Sequence, residues 1–353
     1  MALELTSLAD LGGHRFDDII DVRAPAEYAE DHLPGAINLP VLDDAERAQV
    51  GTIYKQVSPF DARKIGAALV AKNASLHLRG PLADRPGGWR PLVYCWRGGQ
   101  RSGSFASILS QIGWRVELVK GGYKAWRGLV VQAVYDQPVA SRVIVLDGNT
   151  GSAKTEVLQA LAARGVQVID LEAMANHRGS LFGAMGPQPS QKAFEGRLAM
   201  ALSRLDPARP VVVEAESSKV GECRVPPRLW KAMTQAPRVA LSVPLAARAE
   251  YLIRAYADMV ADQARLSEVL QQLRHAHPAK RVAEWQAMAA TGRFAELAEQ
   301  LMDNHYDPRY AKHRARIEVP VTEVQADRLD ATGIAILAAR VEALLATVQA
   351  ALP

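Results

Sequence analysis

Twice in this 353-residue chain an apolar strand runs into a glycine-bearing loop and then into a helix of apolar periodicity. The first unit is Pro-Leu-Val-Tyr at 91–94, then Cys95-Trp96-Arg97-Gly98-Gly99-Gln100-Arg101-Ser102. The second is the run at 142–146, then Gly148-Asn149-Thr150-Gly151-Ser152-Ala153-Lys154-Thr155. Such a unit aims loop N–H groups and a helix N-terminus at one spot, where they act as roughly half a positive charge. It also restricts the fold, because strands that feed helices in this way lie parallel in a sheet covered by those helices.

The flanking sequence extends both units. Strands are expected at 16–22, 36–39, 91–94 and 116–119. Ser58-Pro59-Phe60-Asp61 reads as a helix start, with a cap, a first-position proline and a first-turn acid, and that helix should reach about Asn73. After the Cys95 loop, Phe105, Ile108, Leu109 and Ile112 recur at helical spacing until Gly113. Residues 128–140 have no clear period and contain Pro138, so they read as a linker. Beyond them come strands at 142–146, 166–169, 211–213 and 239–243, with a helix from Lys154 to about Arg164. Residues 245–316 look helical, 319–324 look like an edge strand because of Pro320, and 331–352 form an apolar helix. The expected architecture is α/β: a parallel-sheet domain at 1–130, then a second α/β domain at 140–353 with a helical part at about 245–316.

Composition narrows the class. Net charge is +4, from 42 basic and 38 acidic residues, which permits a nucleic-acid partner without requiring one. Two cysteines exclude a disulfide framework and fit a reducing compartment, so a cytoplasmic location is expected. No uninterrupted run of eighteen apolar residues suggests a membrane span, and no basic segment followed by an apolar core suggests a secretory leader.

Each loop carries its own chemistry. Cys95 lies where helix and loop amides lower a thiol's pKa from about 8.5 to well under 7. Gly98 and Gly99 let the backbone turn its amides inward, and Arg97 and Arg101 can bind an anion, Arg101 with both prongs of its guanidinium. A packing cysteine needs none of these neighbours. The second loop is a P-loop, with Gly148, Asn149, Thr150, Gly151 and Ser152 cradling a diphosphate, Lys154 on its outer oxygens and Thr155 able to hold Mg²⁺. Ala153 replaces the usual glycine, and its methyl should be tolerated on entry to the helix. Asp170, Glu214 and Glu216 follow strands and are candidate acids, equally readable as caps or surface groups. His275 and His277 diverge on a helix and do not suggest a metal pair; with His305 and His313 they should face the surface or a nucleic acid. Lys280, Arg281, Arg309, Lys312, Arg314 and Arg316 make the C-terminal half locally basic, either as a solvated face or as an RNA-binding one.

Asp21-Val22-Arg23, the run from His32 to Asn38 and the run from Lys120 to Trp126 complete a set that resembles a rhodanese domain. The five residues between Cys95 and Arg101 resemble the wider loop of related phosphatases, which holds a tetrahedral phosphate. The order of the two loops, together with 51–56, 58–61, 170–180, 214–221 and 306–310, closely resembles the tRNA 2-selenouridine synthase family. That resemblance implies action on wobble 2-thiouridine of tRNA, geranylation of its sulfur from geranyl diphosphate, and replacement of the geranylthio group by selenium from selenophosphate. It implies Cys95 as the selenium carrier; with these substrates the clustered basic C-terminal residues are the expected tRNA contacts, no cofactor is required beyond optional Mg²⁺ because both small substrates arrive activated, and a selenophosphate-supplying enzyme is a candidate partner. From the residues alone, a sulfurtransferase fused to a P-loop ATPase or kinase, a cysteine phosphatase and a non-catalytic relay remain open.

Overall fold

Strand and helix alternate as expected in the computed structural model, which describes residues 2–12, 16–315 and 318–350. The first unit, Met1–Gln137 with Pro189–Arg204, is built on a sheet. In chain order its elements are β1 (Ala2–Leu3), β2 (Asp18–Asp21), α1 (Pro25–Glu30), β3 (Ala36–Asn38), α2 (Asp44–Gln56), α3 (Pro59–Arg79), β4 (Pro91–Tyr94), α4 (Gln100–Gln111), β5 (Glu117–Val119) and α5 (Gly122–Val131). The strand order is β1-β5-β4-β2-β3 and every pairing is parallel. Central strands of such a sheet are covered on both faces, and all four residues of β4 are buried.

Two parts of this unit differ from the sequence reading. The helix α2 was not anticipated, and α3 runs six residues past Asn73. No residue of α2 is buried, so it shows no apolar stripe; what starts it is the box in which Asp43 and Glu46 each accept from the other's backbone N–H. The expected linker is also corrected. The chain stays helical through a widened turn at Gln132–Asp136, because Tyr123, Trp126, Val130 and Val134 make one buried stripe. That stripe starts inside the glycine-rich run, so a reading that begins at 128 cuts it in two.

The second unit, Pro138–Gln188 with Leu205–Pro353, repeats the plan. Here β6 (Val143–Gly148) leads to α6 (Lys154–Ala163), β7 (Gln167–Ile169) and α7 (Leu171–Ala175). The chain then makes α8 (Gln191–Leu202), which belongs to the first unit, so the expected break at 130–140 does not hold as a clean one. Ser190 caps α8, Phe194 and Leu198 are fully buried, and Gly196 leaves room for the Trp126 ring, which a Cβ there would meet at 2.8 Å. The second sheet is completed by β8 (Val211–Glu214), the hairpin β9 (Lys219–Val220) and β10 (Cys223–Arg224) alongside it, α9 (Pro227–Gln235), β11 (Arg238–Ser242), α10 (Leu245–Ala255) and β12 (Val321–Gln325). The order is β12-β11-β6-β8-β7, all parallel. Proline 320 stands just before the edge strand β12, where its carbonyl accepts from Arg238 N, as the sequence suggested.

Helices between α10 and β12 enclose a separate apolar cluster that includes Phe182, Met259, Leu270, Trp285 and Leu297. The last helix, Ala331–Ala350, is long and apolar enough by composition to cross a membrane. It is a core helix instead, because Leu337, Ala338, Val341, Leu345 and Val348 are buried in the core of the second sheet. Arg316 and residues 351–353 lie outside the described residues.

Candidate active sites

Cys95 follows the last residue of β4, so the central strand of the first sheet delivers its thiol to the carboxyl edge. It is only 3% exposed. The Gly99 N–H donates to Sγ at 3.3 Å and the Ser102 hydroxyl at 3.2 Å. Burial alone would raise the thiol pKa. The Ser102 hydroxyl, the Ser102 and Gly99 amides and the Arg101 charge outweigh it, and the net shift is downward. These contacts favour the thiolate over the thiol more than in an ordinary buried cysteine.

The loop's shape depends on glycine. Gly98 has φ +66°, and a Cβ there would stand 2.7 Å from the Val119 carbonyl. Gly122, at φ +59°, lies so close beneath the loop that a Cβ would collide with the Cys95 carbonyl. Tyr123 N and Lys124 N donate to the carbonyls of Cys95 and Trp96, tying the loop to the start of α5. Beneath it lies a buried polar network. Arg23 binds Asp21 at 2.6 Å and lies 4.0 Å from the Tyr123 ring centroid; Tyr94 donates to Asp21, and Tyr123 to Asp31.

Arg101 occupies the first turn of α4 and donates to Glu27 at 2.8 Å, while Arg97 is exposed on the loop. Glu27 was not recognised in the sequence as part of this site, since 74 residues separate it from Arg101 and α1 has no distinctive pattern. Burial raises its pKa, but the hydrogen bond and charge of Arg101 lower it further, so it is held ionised. An ionised carboxylate cannot protonate a leaving group, which weakens the phosphatase reading.

The second loop leaves the end of β6, the central strand of its sheet, and enters α6 at Lys154. Gly151 has φ +82°, and a Cβ on Gly148 would meet Ser152 Oγ at 2.3 Å. Ala153 is not in the helical conformation the sequence reading assumed. It sits in the left-handed region, at φ 56°, with its methyl buried. The loop keeps the turn that glycine usually makes and carries strain there. Lys154 Nζ donates to the Gly148 carbonyl at 2.9 Å, and Thr155 donates to Glu172 at 2.8 Å. Asn149 Oδ1 and Ser152 Oγ are buried without a partner.

An acidic group gathers on this side of the sheet. Glu214 is completely buried, and one of its oxygens accepts from Glu172 N. Burial first, then the charges of Glu172 and Asp170, push the Glu214 carboxyl well above the usual range. Burial and Glu172 raise Glu216 to about 8, against the opposing charge of Lys154. Asp170 caps α7 through Ala173 N. Glu172 was missed in the sequence because nothing local marks it as facing Thr155. Asp147, near the end of β6, is paired with Arg238 at 3.1 Å and Arg314 at 3.0 Å. Among the described residues no three His, Cys, Asp or Glu side chains are placed to hold a metal ion. Mg²⁺ would fit here only as it usually binds, through Thr155 and one carboxylate together with substrate phosphates.

An apolar cavity of about 90 Å³ adjoins the P-loop. Leu252, Met259, Leu266, Phe294, Leu297 and Leu301 help line it. Thr150, Ser180, Leu252 and Tyr256 line both this cavity and the P-loop cleft, so the two are adjacent and share a wall.

The basic C-terminal residues are largely engaged within the protein. Arg314 binds Asp147, Arg309 donates to His305 Nε2 at 2.8 Å, and Arg281 donates to Asn304. Lys280 and Lys312 are exposed. His305 is buried rather than on the surface as expected; it meets His277 at 2.8 Å and packs against Tyr306. The side chain of His313 lies outside the described residues.

Both parts of the chain match known families. Residues 4–129 match the rhodanese-like domain, and residues 141–277 match the family described as the tRNA 2-selenouridine synthase AAA domain. A tRNA 2-selenouridine synthase from Pseudomonas syringae pv. syringae is 34% identical, over 87% of this chain and 92% of its own. One from Psychromonas ingrahamii is 37% identical, over 70% of this chain and 67% of its own. A solved rhodanese-related protein from Thermoplasma volcanium aligns with 35% of this chain and 88% of its own, at 21% identity and a TM-score of 0.22.

Proposed function

Because the chain belongs to the tRNA 2-selenouridine synthase family, we propose that it converts wobble 2-thiouridine in tRNA to 2-selenouridine through an S-geranyl intermediate, using geranyl diphosphate and selenophosphate. The observation that supports this reading is the apolar cavity that shares a wall with the P-loop cleft. A nucleoside triphosphate would place a polar base and ribose beside its phosphates. A prenyl diphosphate places hydrocarbon there, and burying a hydrocarbon tail contributes about 0.8 kcal/mol per methylene.

In the first step the thiouridine sulfur attacks the allylic carbon, the C–O bond breaks and diphosphate leaves. Lys154 and the loop amides would stabilise the charge that develops on the leaving group, and Mg²⁺ at Thr155 would add to this. In the second step the geranylthio group is exchanged for selenium. With water consumed, the products are 2-selenouridine, geranyl thiol and phosphate. The Cys95 loop suits this exchange, since it offers a thiolate and a cradle for a tetrahedral anion side by side.

Nucleoside mass spectrometry on 2-thiouridine tRNA, incubated with geranyl diphosphate and then with selenophosphate, tests the proposal. The wild type should give the S-geranyl nucleoside first and 2-selenouridine after it. Cys95→Ser should stop at the geranylated nucleoside. Turnover that appears only on adding ATP would favour the kinase-type alternative and sink this reading.

A further inference from the structure

Two sequence runs have no role in the chemistry above: Gly51–Gln56 and Ser58–Asp61. They form the end of α2 and the start of α3. Between these helices lies a cleft of about 840 Å³. Four cations line it: Lys55 and Arg63, and Arg47 and Arg101, both of which also pair with Glu27. Among the described residues no Asp or Glu lines it. Its floor is apolar, with Leu42, Val50 and Val70. Tyr54 stands in it 56% exposed, and Phe60 on the adjoining turn is 66% exposed.

At one end the cleft reaches Gln100, Arg101 and Ser104 of α4. This is the helix whose Ser102 donates to Cys95 Sγ. Cations for phosphates and an exposed aromatic ring for a base are what an unstacked RNA strand requires, and the cleft ends at the helix that follows the Cys95 loop. A small anion would leave most of such a space unfilled.

We propose that the α2–α3 cleft binds the single-stranded anticodon segment of the RNA substrate, with Arg47, Lys55 and Arg63 on its phosphates and Tyr54 stacked on a base, so that the wobble nucleotide lies over the Cys95 loop. The inference rests on RNA being the substrate, as proposed above. It places RNA contacts on the first unit, in addition to any made by the basic C-terminal residues.

The test uses the full chain and an anticodon stem-loop RNA bearing 2-thiouridine at the wobble position. Dissociation constants are measured over a salt series for wild type, Lys55→Ala/Arg63→Ala and Tyr54→Ala, with thermal melts to confirm folding. The double variant should flatten the salt slope by about 1.4, at roughly 0.7 per lost contact to a single strand. Tyr54→Ala should weaken binding by about 5- to 150-fold. Unchanged affinity and slope in both folded variants, while the wild type still modifies the RNA, would overturn the cleft assignment alone. If the wild type neither binds nor modifies this RNA, the functional reading fails as well. Normal RNA binding in the variants with lost association of a selenophosphate-supplying enzyme would make the cleft a protein-docking surface and overturn the proposal.

Discussion

Replacing Ser102 by alanine removes a single oxygen from beneath the thiolate. That hydroxyl is fully buried and lies 3.2 Å from Cys95 Sγ, while the Gly99 amide at 3.3 Å stays in place. A hydrogen bond to a charged group contributes about 1.5–3 kcal/mol. One pH unit corresponds to about 1.4 kcal/mol, so losing the bond should raise the thiol pKa by about 1–2 units. The lower end is expected, because the same hydroxyl also reaches the Gly99 carbonyl at 3.3 Å and divides its interaction between the two. The sign follows from the thiolate being the stabilised form: removing a donor to it favours the thiol. The midpoint of the thiolate titration, and of the pH profile of selenium exchange, should move up by the same amount, with the rate recovered above the new midpoint. The assay is a pH titration of ultraviolet thiolate absorbance, with Cys95→Ser as the blank so that Cys223 is subtracted. A folded Ser102→Ala protein whose thiol titrates where the wild type's does would refute the reasoning and leave the loop amides and helix N-terminus as the whole cause.

The remaining predictions concern the second site. Lys154→Ala should slow geranyl transfer by about 10²–10³-fold, the usual effect of losing one preorganised donor to a developing anion; initial rates on 2-thiouridine tRNA measure it, and a wild-type rate would take the diphosphate away from the P-loop. Ala153→Gly should change stability by less than about 1 kcal/mol in urea titrations, because relief of about 1 kcal/mol of left-handed strain offsets about 0.8 kcal/mol of lost methyl burial; a loss above about 2 kcal/mol would show that the methyl, not the turn, matters. Glu216, raised by burial and by Glu172 to about 8, binds its proton more tightly folded than unfolded. Its contribution is therefore fully present below the unfolded value of about 4.5 and lost as pH rises toward 8, so urea midpoints should fall across that window and fall less in Glu216→Gln; parallel profiles would contradict this.

Both anion loops were legible in the sequence because a strand, a loop and a helix start occupy a dozen consecutive residues. Gly98, Gly99, Arg101, Gly148, Gly151 and Lys154 lie at the positions their motifs assign, since local backbone geometry dictates them. The sequence therefore determined the parallel α/β class and the placing of both glycine-bearing loops between a central strand and a helix. It did not reveal Glu27 beside Arg101 or Glu172 beside Thr155, because each pair is joined across the fold and a lone glutamate carries no local sign of its partner. Helix α8 was invisible as a member of the first unit for the same reason: its apolar face looks like that of any core helix, and only packing shows that Gly196 was left bare for Trp126. The left-handed turn at Ala153 ran against its own residue type, since alanine in a helix-entry position reads as helical. The apolar cavity joins Thr150 and Ser180 to residues between 252 and 306, and the α2–α3 cleft sets the cations of two helices facing one space. Hydrophobic burial specifies only that such residues leave water; which of them end up lining an opening rather than filling a core was decided by the tertiary structure.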